Sequence, residues 1–530
     1  MTQTESVHAL ALIGPIPNAP ARSRPGAPRG LNSRPAGLLA LLVGLGAVLY
    51  AWYEQYAVDA ETTLLPWLIR RGWVLYTDLV DQHPPLLPWL LVPFDGDPGM
   101  PLRVFIVALR AVTLVLTYVV ARRLCGAWGA LVTLTGAALW AIGANASHLW
   151  YDGALAPIYL VVLLLLVAPD QSPRGTRDRV SATAEVPRAL ALGVLLAAAL
   201  LLKQHALVAV PGVILALAWD RHGRGRRVAA FALGLLVPLT LAGVYFILHG
   251  ASQAAAYWVI AYSIARNYVS AAGMAPAGDT WWPIIAVAPA LALGVAGIAR
   301  GVRHVYGKYF RLWVAGPGLL LAATLPIWPR YGRFHLQAAI PLLAVAAAAS
   351  AVLLRDTLRQ RRWQTRFLSV LAGLLLAVYF ITGASEASTS FRIQTQLPPV
   401  AAPYAGTVPP LVNWVGAHTL PDAPIVLYGV DALLYRVLEH PPPRPWVPQL
   451  AWILAAGDTE ARWWLAMAWE RPSIALVAAS WWDSGASASD DPGPGWLRAN
   501  YHADVRFALS VYPGAPSVSV VGLVLNSSGP

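Results

Sequence analysis

The chain alternates long runs of apolar residues with shorter polar segments. An apolar run of about 18 to 22 residues can cross the hydrocarbon core of a bilayer as one helix. About eleven runs approach this length, although several are shortened or interrupted by proline. They lie at roughly 36–53, 102–121, 127–144, 153–168, 188–202, 205–219, 229–248, 283–299, 312–327, 336–354 and 367–384. The pattern predicts an all-α polytopic membrane domain of about eleven transmembrane helices.

Basic residues predict which way these spans run. Arginines and a lysine are concentrated before the first span and after the second, fourth, sixth, eighth and tenth. If the spans alternate in direction, all these gaps lie on one side of the membrane, and the positive-inside rule makes that side cytoplasmic. We therefore expect a multi-pass protein of the plasma membrane with a cytoplasmic N-terminus. The net charge of +12 is then a topological signal, and no binding to nucleic acid is expected.

Composition supports the same interpretation. Apolar residues make up 57% of the chain, charged residues 12%, and the mean hydropathy is +0.55. A soluble globular protein carries about twice that share of charged residues. Residues 1–35 are rich in proline and arginine and lack an apolar core, so they are predicted to be a disordered cytoplasmic tail. The single cysteine, Cys125, excludes a disulfide within the chain and a metal site built from several cysteines.

The pattern changes after about residue 385. Apolar runs of strand length alternate with stretches of helical periodicity. The strand-like runs are 425–428, 473–478, 507–512 and 518–525, and the helical stretches lie near 408–418, 431–438 and 459–470. This alternation predicts a small extracytoplasmic α/β domain over residues 385–530. The transmembrane domain would then span residues 36–384, and residues 386–407 would link the two.

The first outward segment, residues 54–101, carries the most informative polar residues. Asp59 and Glu61 follow the first span directly. A carboxylate at a membrane-facing cleft is suited to act as general base toward a hydroxyl acceptor, whereas the simpler alternative is a solvated acidic loop. Residues 62–71 follow with apolar positions at helical spacing, which predicts an amphipathic helix in the membrane interface that closes the cleft.

A second polar run follows that helix, with Tyr76, Asp78, Asp81 and His83 preceding two prolines. The prolines fix the backbone and end one element before the next apolar stretch begins. His83 is a candidate ligand for a phosphate or a metal, and its simpler alternative is a hydrogen-bonded loop residue.

The order of these residues resembles the first outward loop of bacterial family-39-type membrane glycosyltransferases. This group is similar to protein O-mannosyltransferases and lipid A aminoarabinose transferases and has the GT-C fold. The resemblance covers roughly residues 36–384. Its motifs are the acidic pair, Gly72, Tyr76-x-Asp78, Asp81-x-His83-Pro84-Pro85-Leu86, Lys203-Gln204 and the run from Arg330 to Gln337.

The resemblance implies transfer of a sugar from a polyprenyl-phosphate donor to an acceptor hydroxyl on the outer face, with inversion at the anomeric carbon. Asp59 matches the acidic position of the presumed base. The family has two adjacent acidic residues here, whereas Ala60 separates Asp59 from Glu61. Either carboxylate therefore remains a candidate for the base, with Asp59 preferred. Asp152 resembles the family's second acidic position, which orients the acceptor or holds a metal; the alternative is a helix cap.

A departing phosphate needs positive charge as its bond to the sugar breaks. The candidates at the predicted outward side are Lys203, Arg266, Arg330, Arg333 and His335. The alternative for each cation is snorkelling to lipid headgroups. Tyr76, Asp78, His83 and Asp152 are candidates for orienting the acceptor or a metal. Carboxylates such as Asp59, Glu61 and Asp152 suit a divalent cation such as Mg or Mn, but the sequence identifies no cofactor.

The expected partners are a polyprenyl-phosphate-linked sugar, membrane lipid, and an acceptor that is a lipid, a polysaccharide or a protein. An alternative is a transporter or flippase of lipid-linked sugars that performs no chemistry. That alternative predicts charged groups deep within spans in both halves and an internal repeat, and neither is evident in the sequence. A third possibility is a non-catalytic member that uses its outer domain for binding.

Overall fold

The computed structural model describes most of the chain after residue 32. The described residues are 33–54, 59–143, 149–167, 180–219, 223–264, 287–300, 310–327, 333–358, 363–396, 404, 406–448, 451–454, 456, 459–484, 492–511 and 516–526. Residues 1–32 of the predicted cytoplasmic tail, Arg266 and Arg330 lie outside these residues, whereas residues 33–35 of that tail begin the first helix.

The bundle part of the described chain is almost entirely helical. Its helices are α1 (Ser33–Tyr53), α2 (Ala60–Arg70), α3 (Leu86–Leu91), α4 (Met100–Gly143), α5 (Tyr151–Val167), α6 (Val180–Leu202), α7 (Ala209–Ala218), α8 (Arg224–Leu248), α9 (Ser252–Ala256), α10 (Tyr262–Ile264), α11 (Ala288–Arg300), α12 (Phe310–Thr324), α13 (Ala339–Leu358) and α14 (Trp363–Gln396). Short 3-10 helices at Val92–Phe94, Gln204–Val208, Leu325–Ile327 and Arg333–Leu336 and a π-helical turn at Tyr257–Ala261 join some of them.

Six helices in the described chain are long and apolar enough to cross a membrane. These spans are Arg34–Tyr53, Met100–Gly143, Glu185–Leu202, Arg224–Leu248, Ala339–Leu358 and Trp363–Arg392. The apolar helices Tyr151–Val167, Gln204–Ala218 and Ala288–Gly297 are shorter. The prediction of a multi-pass helical membrane protein is therefore confirmed. The count of about eleven spans, the orientation and the domain bounds remain predictions.

Helix α4 contains two of the predicted spans. Its 44 residues are interrupted at Gly126, where the backbone adopts φ 75° and ψ −175°. A positive φ is accessible to glycine because it has no Cβ, so one residue separates the two helical arms. At the centre of the bundle, most residues of α13 are buried. Its alanines, among them Ala344 and Ala347, let neighbouring helices approach closely.

The expectation that the spans hold no deeply placed charge is wrong. Arg103 and Arg110 lie inside α4 and are buried. Arg110 Nη1 is 4.0 Å from Glu54 Oε2 at the end of α1, and both side chains are almost fully buried. Burial of a charge is tolerated when an opposite charge accompanies it.

The chain after residue 404 forms a four-stranded sheet flanked by helices. Its elements are α15 (Pro409–His418), β1 (Val426–Tyr428), α16 (Leu433–Val437), α17 (Ala451–Leu454), α18 (Thr459–Glu470), β2 (Ile474–Ala478), α19 (Ala479–Asp483), α20 (Pro492–Asn500), β3 (Tyr501–Leu509) and β4 (Val518–Leu525). The strand order is β1-β2-β4-β3, with β1 parallel to β2 and the other pairs antiparallel.

One predicted strand boundary in this part is wrong. Strand β3 begins at Tyr501, before the predicted run at 507–512. It lies at the sheet edge, and most of its residues are at least partly exposed, so its first half lacks an apolar run. The predicted linker is partly helical, because α14 continues to Gln396.

The prediction that residues 62–71 lie in the membrane interface is also wrong. Residues 62–68 of α2 are buried. Leu64, Leu65 and Leu68 share a hydrophobic cluster with Leu433 and Leu434 of α16. Helix α2 therefore packs beneath the C-terminal segment, and protein side chains cover its apolar face.

The loop after α2 holds the C-terminal segment against the bundle. Asp78 Oδ2 accepts hydrogen bonds from the Val74 backbone N–H at 2.8 Å and from Arg444 Nη2 at 2.9 Å. The Trp446 backbone N–H donates to the Asp78 carbonyl at 2.8 Å. Asp78, a candidate for orienting the acceptor, is thus engaged in a contact between chain segments.

Candidate active site

Three predicted site residues meet at one end of the bundle. Asp152 lies in the first turn of α5, Lys203 directly follows α6, and His335 lies in the 3-10 helix before α13. Lys203 Nζ donates to Asp152 Oδ2 at 2.5 Å. His335 Nδ1 is 2.9 Å from the same oxygen and 3.2 Å from Lys203 Nζ. We call these three residues the Asp152 cluster.

The Asp152 cluster is shielded from solvent. Asp152 is 0% exposed and Lys203 is 4% exposed. Burial lowers the pKa of Lys203, and the carboxylate of Asp152 opposes this effect. Burial together with the nearby Lys203 charge lowers the pKa of His335 to about 4, so its imidazole is neutral at pH 7. The positive charge of Lys203 is therefore balanced by Asp152, and His335 contributes a polar but uncharged ring.

One oxygen of the cluster remains available. Asp152 Oδ1 is buried and has no hydrogen-bond partner among the described residues. An ionised carboxylate has about four acceptor positions on its two oxygens, and the two nitrogens above contact only Oδ2. Oδ1 can thus accept a hydrogen bond from a bound molecule.

The Tyr76–His83 run packs against the start of α5. His83 Nδ1 is 2.9 Å from Asp81 Oδ1, and Tyr151 donates to Asp81 Oδ2 at 2.9 Å. The His83 ring stacks on Tyr151 with centroids 4.2 Å apart. The Tyr76 hydroxyl donates to the His83 carbonyl at 2.9 Å. These contacts place the run beside Asp152, since Tyr151 precedes it in the chain.

Asp59 lies at the N-terminus of α2. Its backbone carbonyl accepts hydrogen bonds from the hydroxyls of Thr62 and Thr63. Glu61 falls in the first turn of the same helix, and its side chain is outside the described atoms. The single residue between the acidic pair thus places one member at the helix cap and the other inside the helix.

Asp431 of the C-terminal segment is close enough to Asp59 for its pKa to respond to the charge of Asp59. Burial raises the pKa of Asp431, and the charge of Asp59 raises it further. Hydrogen bonds from the Leu433 backbone N–H at 2.9 Å and the Tyr404 hydroxyl at 2.8 Å oppose this rise. A second carboxylate therefore stands near the predicted base.

The remaining predicted cations are not described at the site. Arg266 and Arg330 lie outside the described residues, and Arg333 is described only as part of a short 3-10 helix. No group of three or more potential metal-ligating side chains occurs within the described part of the chain. In the Asp152 cluster, nitrogen donors contact the carboxylate. A role for Mg or Mn remains a prediction.

Sequence reasoning did not assign roles to Tyr151, Asp431 or Arg110. An arginine inside an apolar run is a visible signal, and Arg110 could have been found by it. Tyr151 adjoins a predicted site residue, whereas no motif or periodicity distinguishes Asp431.

Comparison with known proteins supports the fold. Neither a protein-family model nor a curated protein matches the sequence. The crystal structure of ArnT from Cupriavidus metallidurans in the apo state is similar with a TM-score of 0.54 and 14% identity, over 94% of this chain and 99% of that one. The same protein bound to undecaprenyl phosphate gives a TM-score of 0.51 at 13% identity, with the same coverage.

A second fold relative is the oligosaccharyltransferase of Archaeoglobus fulgidus tethered with an acceptor peptide. It gives a TM-score of 0.53 at 10% identity, over 92% of this chain and 75% of that one. The predicted GT-C fold is thereby confirmed. At these identities the likeness establishes the fold alone.

Proposed function

We propose that the protein is a membrane glycosyltransferase that moves a sugar from a polyprenyl-phosphate donor to an acceptor hydroxyl on the outer face of the membrane. The observation that carries this proposal is the buried Asp152 cluster, against which the chain segment that follows Asp59 and α2 packs through His83 and Tyr151. The fold supports it, because one similar structure holds undecaprenyl phosphate and another holds dolichol-phosphate with an inhibitory peptide.

The proposed reaction is a single displacement with inversion. The Asp59 carboxylate takes the proton of the acceptor hydroxyl as its oxygen bonds to the anomeric carbon. The bond from that carbon to the phosphate oxygen breaks, and the electron pair leaves with the polyprenyl phosphate. The transition state has oxocarbenium character, as in glycoside hydrolysis.

The Asp152 cluster is proposed to orient the reacting groups. The Lys203 ammonium has three donors, of which one is held by Asp152 at 2.5 Å. Another is proposed to contact a phosphate oxygen, with Arg330 and Arg333 adding charge. Asp152 Oδ1 is proposed to accept a hydrogen bond from a sugar or acceptor hydroxyl.

The proposal is tested by sugar transfer from radiolabelled polyprenyl-phosphate sugars in detergent, comparing wild type with Asp59→Asn and Glu61→Gln. Removing a general base lowers the rate by about 10²- to 10⁴-fold. We expect that loss in Asp59→Asn and largely retained turnover in Glu61→Gln. Donor that binds to all three proteins without release of polyprenyl phosphate would contradict the enzyme proposal and favour transport or binding.

A further inference from the structure

Helix α18 of the C-terminal segment has an exposed side that is mostly apolar. Its other side packs into the segment through four buried residues, Thr459, Trp463, Ala466 and Met467. The exposed side consists of Ala461, Arg462, Leu465, Ala468 and Trp469. We call these five residues the α18 stripe. A surface helix of a globular domain carries charged and polar side chains toward water, whereas only one of these five described residues is charged.

Two large apolar side chains dominate the α18 stripe. Leu465 is 68% exposed and Trp469 is 89% exposed. Because they are four residues apart in a helix, they lie on the same face one turn from each other. A single exposed apolar side chain is common in soluble proteins, but neighbouring ones that form a patch mark an interaction surface. The stripe is therefore suited to an apolar or amphipathic partner.

Hydrogen bonds place the C-terminal end of the stripe beside the loop that follows α2. Glu470 Oε1 accepts a hydrogen bond from the Arg444 backbone N–H at 2.9 Å. Arg444 Nη2 donates in turn to Asp78 Oδ2 at 2.9 Å, and its guanidinium lies 4.7 Å from the centre of the Trp73 ring. Trp469 directly precedes Glu470, so its backbone lies close to this loop.

The same loop contacts the span α8 at its last turn. The Tyr76 ring packs on Phe246 with centroids 5.1 Å apart. The next two residues of α8, Ile247 and Leu248, are 65% and 78% exposed. Apolar side chains that are exposed on a membrane span face lipid. The lipid-facing end of α8 and the α18 stripe are therefore connected through a single loop, and the headgroup region extends about 5–7 Å beyond the hydrocarbon core.

We propose that the α18 stripe rests in the headgroup region of the membrane, with Leu465 and Trp469 inserted among the lipids. Tryptophan is enriched at this depth because its ring is apolar and its N–H is polar. Arg462 lies on the same stripe, and an arginine can bond lipid phosphates. Helix α18, rather than residues 62–71, is then the interfacial helix. The inference does not depend on the proposed function, since it requires only that the bundle spans a membrane.

The test is quenching of a fluorescent label by lipid, in phosphatidylcholine nanodiscs that each hold one copy of the full-length protein. In a Cys125→Ala background, the label is attached to Trp469→Cys. The discs are made with and without lipid that carries a nitroxide at a shallow position of its acyl chain. The position controls are Leu248→Cys, at the end of α8, and Ala508→Cys, which is exposed on the edge strand β3. We expect the nitroxide to remove most of the fluorescence at positions 469 and 248 and little at position 508.

A second measurement tests whether the Trp469 side chain anchors the helix, and it also serves if Trp469→Cys does not fold. The label is attached to Leu465→Cys, where the nitroxide lipid should quench it as well. Adding Trp469→Ser should reduce this quenching because the helix loses its largest inserted side chain. The matched control is Val518→Ser, which removes an apolar side chain that is 50% exposed on β4 and should leave the quenching unchanged.

Each outcome decides the inference. Quenching at position 469 by nitroxide lipid, together with protection from aqueous iodide, would support it. A label that iodide reaches and nitroxide lipid does not would place the stripe in water and overturn it. Protection from both quenchers would show that protein covers the stripe, which also overturns it. Lipid quenching at position 508 as strong as at 469 would assign the effect to the whole segment instead of the stripe.

Discussion

Replacing Asp152 with asparagine would leave the buried ammonium of Lys203 without its carboxylate. The two side chains are 0% and 5% exposed, and their charged atoms are 2.5 Å apart. An exposed ion pair contributes about 0–1 kcal/mol. Removing one partner of a buried pair costs about 3–5 kcal/mol, because the other charge stays buried and uncompensated. We expect Asp152→Asn to lower the free energy of unfolding by an amount within that range.

A double-mutant cycle identifies the origin of this loss. Lys203→Met alone should also destabilise the protein, whereas the double variant Asp152→Asn/Lys203→Met should lose less than the sum of the single changes. Contacting residues couple by about 0.5–3 kcal/mol, and the short distance here favours the upper part of that range. The measurement is unfolding in mixed detergent micelles followed by circular dichroism.

The pH dependence gives an independent check. The pKa of Lys203 is already lowered by burial, and Asp152 opposes that shift; losing Asp152 lowers it further. Between this folded-state pKa and the unfolded value of about 10.4, the unfolded chain binds more protons, so stability rises with pH. The deficit of Asp152→Asn relative to wild type should therefore shrink as pH is raised from 7 toward 10. Additive single changes together with a deficit independent of pH would refute the reasoning.

Three further outcomes follow from single contacts. Asp431→Asn should make the free energy of unfolding fall less steeply as pH rises above about 4, because burial and the Asp59 charge raise the pKa of Asp431 in the folded state, so that the native state binds more protons there; an unchanged slope would contradict this. Gly96→Ala should strongly reduce thermal stability, since φ is +62° and the added Cβ would overlap a backbone carbonyl of α2, whereas Gly46→Ala has open space and should be neutral or slightly stabilising. Arg444→Gln should cost no more than about 1 kcal/mol in unfolding measurements, because its ion pair is substantially exposed.

The sequence predicted the positions of the helices better than it predicted which other elements those helices contact. A span is encoded by a continuous apolar run, so its approximate position is local information. Contacts of α2 are not local: its apolar spacing resembles that of an interfacial helix, and only the distant α16 shows that protein covers that face. The edge strand β3 was underestimated for a related reason, because its exposed residues carry little apolar signal.

The candidate site shows the same contrast between local sequence signals and contacts made by residues that are distant in the chain. Lys203 was identifiable as a cation at a helix end on the side where cations are sparse. Its partners are 51 and 132 residues away in the chain, and no spacing rule connects them. The resemblance to a family supplied Asp59 and Asp152, but it did not reveal that a second carboxylate, Asp431, comes from the C-terminal segment.

The connection between Asp59 and the Asp152 cluster is structural as well as chemical. Asp59 begins α2, whose apolar face is fixed by α16 of the C-terminal segment. The loop that leaves α2 ends in His83, which stacks on Tyr151 next to Asp152. Because one continuous segment joins the proposed base to the cluster, movement of the C-terminal segment would alter the position of Asp59 relative to the cluster. We therefore expect the C-terminal segment to influence the placement of the proposed base.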